Sequence, residues 1–67
     1  MNTDIQSSGV MREARRKLSL TQLALARRVG CTESLITKIE TGRCTPQPWL
    51  KEAIAHELNI RTWEVGE

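Results

Sequence analysis

Four polar side chains stand close together in the run V-G-C-T-E-S-L-I-T-K-I-E, residues 29–40. Glu33 accepts hydrogen bonds, Lys38 donates them, and the hydroxyls of Ser34 and Thr37 can do either. Ile36 and Ile39 are interleaved with them at helical spacing, so the four polar residues fall on one side of a helix and the isoleucines on the other. This pattern makes a hydrogen-bonding ridge and not a reaction centre. No nucleophile stands beside a base, no glycine loop cradles a phosphate, and no metal constellation can be assembled. Cys31, Cys44 and His56 are too few to complete a zinc tetrahedron. His56 reads as a surface histidine on the outward side of its helix. The expectation is a non-enzyme without metal or cofactor.

The ridge needs elements to hold it. Gly30 breaks the helical pattern, and Thr32, a good N-cap, restarts it within two residues. Upstream, Thr21 caps a helix over Gln22–Val29 whose buried face is Leu25, Ala26 and Val29, with Ala26 small enough to let another helix approach. Gly42 stops the helix that Thr32 starts. Before these, a polar stretch (residues 1–7) reads as frayed, and Ser7 or Ser8 caps a first helix. Val10, Ala14 and Leu18 fall at i, i+4 and i+8 on its inner face with Met11 beside them. Ser19 and Leu20 form a short connection, Leu20 plugging the core.

A connection stiffened by Pro46 and Pro48 leads to a fourth helix that carries Leu50, Ile54 and Leu58, flanked by Trp49 and Ala53. Helical spacing makes Trp49 a core or near-core residue. Asn59 is an αL cap with Ile60 as its hydrophobic contact. Thr62 caps a last turn, T-W-E-V, in which Trp63 is a candidate dimer contact. The expected fold is all-α, five short helices in one domain over residues 1–67.

Size and composition narrow the function. Sixty-seven residues cannot divide their core between two domains. No apolar run approaches the roughly 20 residues that cross a bilayer, and the N-terminus lacks the charged and apolar regions of a signal peptide. A cytoplasmic protein is therefore expected, and its two cysteines read as buried, reduced thiols, with a single disulfide as the alternative. Residues 12–43 hold eight basic side chains (Arg12, Arg15, Arg16, Lys17, Arg27, Arg28, Lys38, Arg43) against Glu13, Glu33 and Glu40, a net of +5. The remainder carries −3, which suggests one face turned towards a polyanion and another turned away.

Two helices joined by a short turn containing Gly form a helix-turn-helix, here over about residues 21–41. In its DNA-binding form, the second helix enters the major groove and its N-terminal residues reach base edges. The run L-T-Q-L-A-L-A-R-R-V-G-C-T-E-S-L-I-T-K-I-E-T-G resembles the Cro/C1-type (XRE-like) helix-turn-helix family. The matching positions are Leu20, Thr21, Gln22, Leu25, Ala26, Gly30, Thr32, Ile36, Thr37, Glu40 and Gly42. The likeness extends over residues 10–65 and implies a five-helix, lambda-repressor-like domain on double-stranded DNA, usually as a homodimer. By position it implies base contacts from Glu33, Ser34, Thr37 and Lys38. It implies phosphate contacts from Gln22, Thr32, Arg43 and Thr45, and a structural ion pair between Arg15 and Glu40. Leu23, Leu35 and Asn59 depart from the pattern; Leu35 either touches a thymine methyl, packs on a neighbour or is merely tolerated.

The function implied is a sequence-specific transcriptional regulator, a repressor where its site overlaps a promoter. The chain reads either as a complete small regulator or antitoxin, or as the N-terminal part of a protein whose C-terminal domain is missing from it. The competing class is a protein-interaction module or antitoxin-like partner that keeps the fold without reading DNA.

Overall fold

The computed structural model describes the backbone of residues 3–66 and the side chains of residues 9–66. It contains four α-helices, α1 (Thr3–Lys17), α2 (Gln22–Val29), α3 (Glu33–Glu40) and α4 (Pro48–Leu58), followed by a 3-10 turn (Thr62–Glu64). No strand occurs among the described residues. The architecture is all-α as expected, but the fifth helix is reduced to a single 3-10 turn. Thr62 opens that turn rather than capping it. Arg61 stands at the cap position, and its backbone N–H donates to Glu64 Oε1 at 2.9 Å.

Local chemistry explains the boundaries of the central pair. Thr21 Oγ1 accepts the Ala24 N–H at 3.0 Å, and Thr32 Oγ1 accepts the Leu35 N–H at 3.1 Å. Each satisfies one of the free amides at a helix start. Gly30 then turns the chain at φ 86°, a conformation L side chains avoid. Asn59 does the same for α4 at φ 58°, and the Ile60 N–H returns to the Ala55 carbonyl at 3.0 Å. Ser19 also adopts φ 58°, closing α1 through its N–H to the Arg16 carbonyl at 2.9 Å.

Helix α1 departs from expectation in two ways. It starts at Thr3, ahead of Ser7 and Ser8, because nothing in residues 3–6 is a Gly or Pro that would force the chain out of a helix. The side chains of both serines, and the whole of residues 1 and 2, lie outside the described residues. Its buried stripe is also rotated: Met11 is fully enclosed and Arg15 nearly so, while Val10 and Leu18 are 38 % and 48 % exposed. The apolar pattern missed this because the residue one turn after Met11 is a buried arginine.

One core joins all the elements. Met11, Leu25, Ala26, Ile36, Ile39 and Ile54 are completely buried, with Leu50, Ala55, Leu58 and Val65 nearly so. Leu20 packs against this cluster, as does the half-buried Leu35. Trp49 is not a core residue. Leu50 and Ile54 occupy the inner stripe of α4, so Trp49, one position back, points outward at 56 % exposure and donates from Nε1 to Gln47 Oε1 at 3.2 Å. Cys31 and Cys44 are free thiols, half-buried rather than enclosed. No helix among the described residues is long and apolar enough to cross a membrane.

Candidate nucleic-acid interface

The outer side of α3 is a polar ridge backed by the core. Glu33, Ser34, Thr37 and Lys38 are all exposed, and Thr41, just past the helix end, joins them. Behind the ridge, Ile36, Ile39 and Glu40 are buried, so the helix cannot roll without exposing its core side. Thr32 is exposed at the amino end of the ridge, where the helix dipole and free N–H groups favour an anion. Arg43 and Thr45 follow the carboxyl end, both exposed.

A buried polar network fixes α3 to α1 and α2. Arg15 donates from Nε to Glu40 Oε2 at 2.7 Å and from Nη2 to Glu40 Oε1 at 3.3 Å. Its remaining nitrogen, Nη1, donates to the Leu20 carbonyl at 2.9 Å, which fastens the connection after α1. Gln22 Nε2 donates to Glu40 Oε1 at 2.9 Å, and Arg12 Nε approaches the same oxygen at 3.8 Å. Among the described residues every buried side-chain nitrogen and oxygen has a partner, the condition under which a buried charge pair rigidifies a fold rather than weakening it.

Gln22 is thus held more firmly than an exposed phosphate ligand would be. Its carboxamide oxygen accepts the Thr37 hydroxyl at 2.8 Å, so the side chain spans from the buried Glu40 to the middle of the ridge. One amide hydrogen remains for an external acceptor. The sequence pattern pointed to Gln22 but not to this bridge. Arg12 and Thr41 were also missed. Arg12 lies three residues before Arg15, a helical neighbour spacing that was available to find it. Thr41 is a hydroxyl one turn after Thr37, and it donates back to the Thr37 carbonyl at 2.8 Å. Arg28 bonds Glu57 at 3.3 Å on the surface between α2 and α4, an ion pair of little energetic weight.

Cys31 occupies the corner between α2 and α3, its thiol 3.5 Å from the Thr32 carbonyl. Burial pushes its pKa up from the ordinary thiol value, which favours the protonated form. The described residues hold no cluster of His, Cys, Asp or Glu fit for a metal.

Residues 8–59, which include this corner and its two capped helices, match the family model for a helix-turn-helix domain. The chain belongs to the helix-turn-helix family. Over 49 residues this helix-turn-helix chain is 45 % identical to an uncharacterized HTH-type transcriptional regulator of Methanothermobacter thermautotrophicus (strain Delta H), a match covering 73 % of the chain and 71 % of that relative. No solved structure matches it.

Proposed function

We propose that this helix-turn-helix chain is a sequence-specific regulator that binds double-stranded DNA, with α3 in the major groove. The observation that carries this reading is the two-sided character of α3. Glu33, Ser34, Thr37 and Lys38 are exposed towards base edges while Ile36, Ile39 and Glu40 anchor the opposite side. Gln22, Thr32, Arg43 and Thr45 surround the ridge at both ends and are the proposed phosphate contacts. They set the register of the helix and carry no sequence information themselves. The basic balance of residues 12–43 supplies the long-range attraction.

The described chain measures 34 × 24 × 21 Å. One copy therefore covers about one half-site, since half-sites lie ~34–36 Å apart on one face of the duplex. A homodimer on a two-fold site is the assembly that fits, with Trp63, 66 % exposed near the end of the described chain, as a candidate contact. Bound over a promoter, such a dimer represses transcription.

A second reading, as a protein-interaction module, is favoured by one observation. Val10 and Leu18 stand exposed beside Ile60 along a groove of about 620 Å³ between α1 and the end of α4.

In vitro selection from random duplex DNA distinguishes the two. Enrichment of an inverted repeat with half-sites one helical turn apart is the expected result. Bulk, salt-sensitive binding without any enriched motif would put the interaction reading first.

A further inference from the structure

The buried ion pair behind α3 determines which way a hydrogen bond at its front can run. Arg15 engages both oxygens of Glu40, at 2.7 and 3.3 Å, and a carboxylate can only accept. The group of Gln22 that lies 2.9 Å from Glu40 Oε1 must therefore be its NH2. A planar carboxamide so oriented turns its oxygen the other way, and that oxygen lies 2.8 Å from Thr37 Oγ1. An amide oxygen also only accepts, so the Thr37 hydroxyl has to donate. Its single proton is committed inside the domain. The one other acceptor within reach, the Glu33 carbonyl at 3.2 Å, is internal as well.

We propose that Thr37 meets DNA only as an acceptor, and that Gln22 is the positioning residue that makes it so. Resting on the reading of α3 as the base-contacting helix, this gives Thr37 a definite preference. It selects a base that carries an exocyclic amino group in the major groove, adenine N6 or cytosine N4, over one that presents guanine O6 or thymine O4. Glu33, one turn earlier on the same face, is likewise an acceptor. Lys38 is the donor beside them and suits guanine. The ridge thus has a polarity: two acceptors, then a cation.

The test compares in vitro selection by the wild-type chain, Thr37→Val and Gln22→Met, then titrates the enriched duplex with the amino group removed at the Thr37 position (purine for adenine, 2-pyrimidinone for cytosine). The Thr37 position is the one whose base preference Thr37→Val alters. Every base pair has one amino group in the major groove, so the analogue is placed on each strand in turn. The wild type is expected to bind one of the two substituted duplexes about three- to tenfold more weakly. Thr37→Val is expected to show no further loss on the analogue. Gln22→Met removes the 2.8 Å acceptor and leaves the hydroxyl only the longer 3.2 Å contact to the Glu33 carbonyl. The proton is then held less firmly, so discrimination narrows at this position while the preference at the Lys38 position is kept. Were Gln22 a phosphate ligand and nothing more, its replacement would instead lower affinity for all sequences alike. Three results overturn the inference while leaving operator binding intact: full affinity retained on the amino-free duplex whichever strand carries the analogue, a base preference untouched by Thr37→Val, or full discrimination retained in Gln22→Met. Failure of the wild type to enrich any motif overturns operator binding and the inference together.

Discussion

Arg15 and Glu40 lie 25 residues apart in the chain and meet in a two-point contact, with the Glu40 carboxylate fully enclosed. The pair joins the end of the first helix to the end of the third, and through Gln22 it reaches the second. Three elements thus converge on one carboxylate. Glu40→Ala leaves Arg15 buried without a counter-charge, a loss of about 3–5 kcal/mol. Against a stability of ~5–15 kcal/mol for a whole domain, that is a large share of the total. Arg15→Met combined with Glu40→Leu removes both charges and is expected to recover most of the loss. Urea unfolding followed by circular dichroism measures this, and equal midpoints for wild type and Glu40→Ala would show that the pair carries no stability.

Ser19 closes the first helix in the left-handed region at φ 58°, where its Cβ is unfavourable and a glycine has no penalty. Ser19→Gly is expected to stabilise the domain by about 0.5–1 kcal/mol, despite the greater freedom glycine gives the unfolded chain. For a domain of this length that raises the melting temperature by a few degrees, at about 4–8 °C per kcal/mol. Asn59→Gly makes the same change at φ 58° but starts from a residue that tolerates the conformation, so its gain is expected to be smaller. Differential scanning calorimetry on the two variants separates them, and destabilisation by Ser19→Gly would contradict the geometry.

Much of this was legible from local chemistry. Thr21, Gly30, Thr32 and Asn59 each carry their own conformational signal, so helix boundaries in the middle of the chain could be read residue by residue. The inner face of α2 and the isoleucines of α3 followed from apolar spacing alone, but the buried Glu40 did not. The first helix did not, because its buried stripe runs from Met11 to Arg15 and a hydrophobic pattern skips an arginine whose partner lies 25 residues away. Trp49 failed for the opposite reason. It is large and apolar, yet Leu50 and Ile54 already fill the inner stripe beside it, and neighbouring positions on a helix do not share a face. The bridge from Glu40 through Gln22 to Thr37 depends on three-dimensional juxtaposition, and no spacing rule encodes it.

Cys31 offers a pH-dependent check on the corner between α2 and α3. Burial raises its pKa, so at neutral pH less of it is thiolate in the folded chain than in the unfolded one. In a Cys44→Ser background, iodoacetamide is expected to alkylate the native protein more slowly than the urea-unfolded protein. The difference narrows as the pH climbs through the raised thiol pKa. The stability tied to the protonated form follows the same sign: it is whole below the ordinary thiol pKa and is lost as the pH rises through the folded-state value. Equal native and unfolded rates at neutral pH would mean that the corner is open.

Lys38 and Arg43 are both exposed cations at the carboxyl end of the ridge, yet they are expected to fail differently when removed. Lys38 projects from α3 itself and is proposed to read a base, so Lys38→Ala should cost about 1–3 kcal/mol on the preferred operator and relax one position in the selected motif. Arg43 belongs to the loop after the helix and is proposed to hold a phosphate. Its replacement by alanine should weaken binding to every duplex similarly and lower the magnitude of the log–log salt slope by about 0.9. The measurement is affinity on matched and mismatched duplexes across a salt series, done for both variants. A uniform loss for Lys38→Ala with an unchanged motif would assign that residue to the backbone as well. Base reading would then rest on Glu33, Ser34 and Thr37, and a helix with no cation among its readers has no strong means of selecting guanine.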